Sequence, residues 1–136
     1  MFSSRLAIWF TLLFFLVSSN IFATDYTITV TAAGNSNYIF NSSGLQFTDS
    51  NDPDISVNVG DKLIFDATSN TLASHPFAIV SQLNSSNGYS SSNEVSGVTN
   101  NGENGVLITW DLTGVTPGEY FYVCVNHPEM LSLIHI

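Results

Sequence analysis

Cys124, His127 and Met130 stand in the run Cys124-Val-Asn-His127-Pro-Glu-Met130, which spaces a soft thiolate, an imidazole and a thioether as Cys-x-x-His-x-x-Met. Cys124 is the only cysteine in the chain. Two imidazoles and a thiolate in a trigonal set, with a weak axial thioether, are the donors of a mononuclear blue copper centre. The run holds one imidazole, and His75 in Ser-His-Pro-Phe can supply the second. Taken singly, such a cysteine is more often a small buried hydrophobe, and such a methionine core filler. Together, with the cysteine closing an aromatic segment, they favour a metal site.

A site of this kind needs rigid elements to hold it, and the sequence offers short strands between turn signals. Tyr26, Ile28 and Val30 alternate with Thr27, Thr29 and Thr31, a period of two. Ile55, Val57 and Val59 alternate with Ser56 and Asn58 before Gly60-Asp61 turns the chain into residues 62–66. Residues 75–80 and 106–110 form further apolar runs. Thr116-Pro117-Gly118-Glu119 has Pro and Gly at the centre of an expected type II turn, leading into Tyr120-Phe121-Tyr122-Val123-Cys124. Period-two alternation puts Tyr120 and Tyr122 on the face of Cys124, toward the core, where Phe77 and Trp110 are also expected. Seven or eight strands in one domain predict an all-β, antiparallel Greek-key β-sandwich. Residues 81–105, rich in Ser, Asn and Gly, are too long for a hairpin loop, and a short strand is expected near 95–98.

Composition narrows the function. The chain has 136 residues, 11 acidic side chains and two basic ones, for a formal charge of −9. Nucleic acid is excluded as a partner, because phosphates are gripped by Lys and Arg. Only 10% of residues are charged while 44% are hydrophobic, which suits a packed β protein with polar loops. No Ser-His-Asp set is visible, and a four-donor metal site leaves no open position for substrate. The chain therefore reads as a non-enzyme.

The first 23 residues read as an export signal. Arg5 gives a positive start, residues 6–17 are apolar apart from Thr11, and Ile21-Phe22-Ala23 ends in a small residue suited to cleavage. Twelve apolar residues are short for an uncleaved anchor. No cysteine near the cleavage point could carry lipid, and the absence of a twin arginine favours a Sec route to the periplasm or the exterior. Losing Arg5 takes the charge from −9 to −10. Oxidising compartments favour disulfides, yet Cys124 has no partner in the chain, and metal binding would protect it. The functional domain is expected at 24–130. The last six residues, Leu-Ser-Leu-Ile-His-Ile, match the in-frame translation of a common sequencing adapter, so His135 is left out of the functional reading. The other reading is a short native strand. Resequencing the source DNA past the Met130 codon is expected to return different codons.

The chain resembles the cupredoxins, the small blue copper proteins of the plastocyanin, pseudoazurin and amicyanin group. The resemblance is carried by His75-Pro76-Phe77, by Pro117-Gly118-Glu119-Tyr120-Phe121-Tyr122 and by the Cys124 to Met130 loop, whose length is most similar to that of amicyanin. Weaker support comes from Val59-Gly60-Asp61-Lys62-Leu63-Ile64-Phe65 and Gly97-Val-Thr-Asn-Asn-Gly102. It implies one copper on a β-sandwich, with His75, Cys124, His127 and Met130 as ligands and a role in one-electron transfer between proteins. Two departures stand out. Pro76 replaces the Asn that usually donates a backbone N–H to the ligand sulfur, and Pro has no N–H to give. Asn126 is expected to donate in its place. Val123 replaces an exposed Tyr that some relatives use as a lateral electron route.

The resulting expectation is a monomeric carrier, off the membrane once the signal is cleaved, exchanging electrons with redox proteins that present basic docking surfaces. A copper chaperone or storage module on the same fold, and a metal-free interaction sandwich, are the alternatives.

Overall fold

The computed structural model describes residues 22–136, so all but the last two residues of the expected export leader lie outside it. Ten strands follow one another, with no α-helix among the described residues. They are β1 (Asp25–Ala33), β2 (Asn37–Ser42), β3 (Phe47–Asn51), β4 (Ile55–Ser56), β5 (Lys62–Asp66), β6 (Phe77–Val80), β7 (Val98–Thr99), β8 (Leu107–Asp111), β9 (Glu119–Cys124) and β10 (Leu131–His135). A six-stranded sheet runs β3-β2-β1-β5-β8-β7, and a four-stranded sheet runs β4-β10-β9-β6. The molecule is an all-β, two-sheet sandwich, as expected. The count exceeds seven or eight because β4 and β7 are only two residues long.

Alternation explains most of the strands. Ile28 and Val30 of β1, Leu63 and Phe65 of β5, and Ile108 and Trp110 of β8 are buried, while their neighbours face outward. These inner faces close on Tyr38 and Phe40 of β2 and on Phe77, Ile79 and Tyr122 of the smaller sheet. Two pairings depart from the antiparallel expectation, since β1 runs parallel to β5 and β10 parallel to β4. Each pair brings together segments that are distant in sequence, which a hairpin could not join.

Three local expectations are corrected. The alternation at 55–59 forms only a two-residue strand: Ile55 and Val57 are buried, but Val59 is 42% exposed. Segment 116–119 is an open bend rather than a type II turn. Gly118, with φ +159, exchanges two backbone hydrogen bonds with Ile136, which prolongs strand pairing through the bend. Tyr120 donates its hydroxyl to Thr116 O at 2.9 Å, the tie of a tyrosine corner, and its ring meets Trp110 edge-on. The strand expected near 95–98 lies at Val98–Thr99.

Residues 81–105 form a structured cover. Tyr89 packs on Ala78, Val80 and Val123, a small second core on the outer face of the four-stranded sheet. Gly88, at φ +75, lies so close that a Cβ there would meet the Leu131 side chain at 3.1 Å. Asn101 takes the place of a strand beside β6: its amide oxygen accepts from Ile79 N at 2.7 Å, and its Nδ2 donates to Ile79 O at 2.9 Å. Phe77 N donates to Glu103 O, and Gly102 N donates to Phe77 O. Both faces and the free edge of β6 are thus covered, which is why all four of its residues are buried.

Five of the six residues read as adapter sequence form β10, and Ile136 follows it. Leu131 pairs with Val123, Ile134 pairs with Tyr120, and Ile134 is fully buried.

Candidate metal centre

Two segments meet at one end of the sandwich. The first begins with a 3₁₀ turn at Asn70–Leu72, where Ser69 accepts a hydrogen bond from Thr71 N at its start. His75 N donates to Leu72 O at 2.9 Å, and Pro76 ends the turn because the residue before a proline is disfavoured in helical conformation. Phe77 then enters β6 directly opposite Cys124 of β9. The register of two strands therefore sets His75 beside the cysteine, 49 residues away in sequence.

The second segment is the loop from Cys124 to Met130. It folds back on itself, with Met130 N donating to His127 O at 3.2 Å and Cys124 N donating to Met130 O at 2.9 Å. Val125 N donates to Pro76 O at 3.0 Å and joins the two segments.

His75 Nδ1 lies 3.9 Å from Cys124 Sγ, and His127 Nδ1 lies 3.5 Å from it. The donor atoms of these three residues all fall within 4.8 Å of one another. A first-row metal with bonds of about 2.0 Å to nitrogen and about 2.3 Å to sulfur, at angles of 110–120°, needs sulfur and nitrogen about 3.5–3.7 Å apart. The 3.5 Å separation to His127 meets that requirement, and the 3.9 Å separation to His75 lies just beyond it, matching a wider angle of about 130°. The chemistry of the donors then selects the metal: a thiolate with a thioether in the same loop suits copper, whose Cu(I) state hard oxygen donors would not stabilise.

Burial differs along the set. Cys124 and Met130 are fully buried and His75 is 4% exposed, whereas His127 is half-buried between exposed Asn126 and Pro128. Burial, followed by the neighbouring His127, lowers the pKa of His75 below its ordinary value and keeps the ring neutral, the form that binds metal. Tyr38, buried under His75, has its phenol held far above the ordinary range, first by burial and then by the charge of Cys124. Its hydroxyl stays protonated and serves as a donor.

Three of the four expected ligands, His75, Cys124 and His127, are therefore brought together in space, and Met130 is buried in the same loop with its backbone bonded to both Cys124 and His127. The expected sulfur hydrogen bond is not formed. Among the described residues the hydrogen-bonding neighbours of Sγ are the two imidazoles, and Asn126 instead sends its side-chain Nδ2 to Ser74 O at 3.0 Å. The sulfur faces the imidazoles across the gap between the segments, while Asn126 sits on the rim. Sequence reasoning missed Tyr38 and Asn104, which bond the backbone around His75 from far away in the chain.

No family model matches the chain, and no curated protein matches its sequence. Among solved structures, the copper protein rusticyanin is similar at 20% identity and a TM-score of 0.47, over 83% of this chain and 77% of that one. The two-sheet sandwich brings two imidazoles and one cysteine sulfur within 4.8 Å of one another, with Met130 buried in the same loop, a donor set consistent with one type 1 copper.

Proposed function

We propose that this protein is a soluble one-electron carrier that works with a single copper and exchanges electrons between exported redox proteins. The carrying observation is the preassembled trio, with imidazole nitrogens 3.5 and 3.9 Å from a buried cysteine sulfur. When bound, copper supplies a Cu(I)/Cu(II) couple, and a thiolate, two imidazoles and a weak thioether can serve both states. The residues of the chain do the rest. Cys124 at the end of β9 and His75 just before β6 are held by paired strands, so the donors need to move little between oxidation states. Met130, buried in the same loop, would add a thioether donor whose weak bond would tune the potential. Four protein donors leave no coordination position for a substrate, which favours a carrier over an enzyme.

His127 is the imidazole nearest solvent, and electrons pass through its exposed edge. Exposed Pro128 beside it offers an apolar contact suited to brief docking. The excess of acidic residues, with Lys62 the single basic side chain after Arg5, steers basic partners toward the domain. The leader directs the chain through a Sec-type route to the periplasm or the exterior, and copper is inserted after export, into a monomer.

A copper chaperone on the same fold would need a site that exchanges its metal readily. The complete burial of Cys124 and Met130 weighs against it. Addition of Cu(II) to the mature protein tests the reading. Intense blue colour with reversible one-electron reduction is expected, together with electron transfer to a basic redox partner that slows as ionic strength rises. Failure to colour overturns the copper reading. Ready copper transfer to a chelating partner favours the chaperone, and a rate indifferent to salt removes the basic partner.

A further inference from the structure

The backbone that carries His75 has no strand partner until Phe77, yet its carbonyl groups are fully engaged. Five consecutive carbonyl oxygens, from Leu72 to Pro76, accept hydrogen bonds from side chains belonging to three other parts of the fold. Asn104 Nδ2 donates to both Leu72 O and Ala73 O at 2.8 Å. Asn126 Nδ2 donates to Ser74 O at 3.0 Å. The Tyr38 hydroxyl, on β2, lies 3.2 Å from His75 O and 3.1 Å from Pro76 O and is shared between them. Backbone donors reach only the two ends of the run: His75 N to Leu72 O, and Val125 N to Pro76 O.

A three-residue 3₁₀ turn followed by a proline has little means of fixing its own geometry. Here the fixing comes from outside the segment. The three donors differ in origin and in surroundings. Tyr38 is fully buried, ringed by Phe40, Phe77 and Tyr122, so its hydroxyl cannot swing away without disturbing the core. Asn104 ends the cover formed by residues 81–105. Asn126 lies between the ligands Cys124 and His127, so its bond to Ser74 O ties the two ligand segments directly.

We propose that Tyr38, Asn104 and Asn126 form a collar of positioning residues that holds His75 in its ligand orientation before metal arrives and keeps it there as the oxidation state changes. The proposal rests on the reading of the site as a copper centre. It assigns a task to three side chains that act on the backbone of the ligand segment rather than as metal ligands. It also accounts for how the site dispenses with a backbone N–H at residue 76: the rigidity is supplied through the carbonyls.

The test compares Tyr38→Phe, Asn104→Ala and Asn126→Ala with the parent protein in two states. In the metal-free protein, amide hydrogen exchange at His75 should quicken about tenfold in each variant, the effect of losing one net hydrogen bond, while that of Ile108 in β8 stays unchanged. In the copper-loaded protein, electron self-exchange measured by NMR should slow severalfold with the blue band retained. A His75 amide that follows Ile108 in every variant, or self-exchange equal to the parent's in every blue variant, overturns the collar. If Tyr38→Phe does not fold, Asn104→Ala decides, because that side chain is only half-buried. A parent protein that stays colourless with Cu(II) sinks the copper reading alone, and amide exchange in the metal-free protein still decides the collar.

Discussion

Cys124→Ser is expected to abolish the blue colour completely and to lower Cu(I) affinity by several orders of magnitude. The absorption arises from charge transfer out of the thiolate, and a serine hydroxyl is neither ionised at neutral pH nor soft enough to hold Cu(I). The fold should survive. Cys124 is fully buried at the end of β9, and a smaller hydroxyl in its place costs about 1–3 kcal/mol of unsatisfied polar burial. Its backbone N–H bond to Met130 O is unaffected by the change. Absorption and EPR spectra after Cu(II) addition, with circular dichroism as the control for folding, provide the measurement. A variant that stays blue would remove the thiolate site.

Phe77→Ala should cost about 3–5 kcal/mol of stability, the range for emptying a buried aromatic position. Phe77 is fully buried, 4.6 Å from the Phe65 ring, 5.2 Å from Tyr38 and stacked at 13° on Tyr122. It joins the two sheets at the level of the site, opposite Cys124 and two residues beyond His75. Against a total of about 5–15 kcal/mol for a domain, the loss is large. Copper affinity should fall with it, since the same cavity frees the backbone next to His75. Denaturant unfolding of the metal-free protein is the check, with Val59→Ala as the control. Val59 is 42% exposed, and its truncation should change stability by less than about 0.5 kcal/mol. Equal losses in the two variants would contradict the proposed core.

The ligand loop was legible because its chemistry is local. Cys124, His127 and Met130 lie within one short turn of chain, so their types and spacing alone identify the donor set. His75 was named as the imidazole in Ser-His-Pro-Phe that can complete the set, and the cupredoxin resemblance implied it as a ligand. The strands β1, β5, β8 and β9 were legible for a similar reason. Burial of one sheet face writes a period of two into adjacent residues, and no distant partner is needed to see it. In β2 the buried Tyr38 and Phe40 alternate too, but the surrounding Asn and Ser residues hid the pattern, and the strand was not read.

What the sequence could not express depends on partners far away along the chain. The parallel pairing of β1 with β5 joins strands more than 30 residues apart. The cover over β6 became visible only when Tyr89 and Asn101 were seen packed and bonded against it. Asn126 was expected to serve the sulfur through its backbone, and the tertiary structure gave its side chain to Ser74, 52 residues away. Tyr38 and Asn104 reach the His75 segment from separations of 37 and 31 residues. A hydroxyl or an amide carries no mark in sequence of which carbonyl it will meet. Ligand identity is a property of side-chain chemistry and is written in the residues themselves, whereas the rigidity that holds a ligand in place is a property of packing and exists only once the sheets have closed.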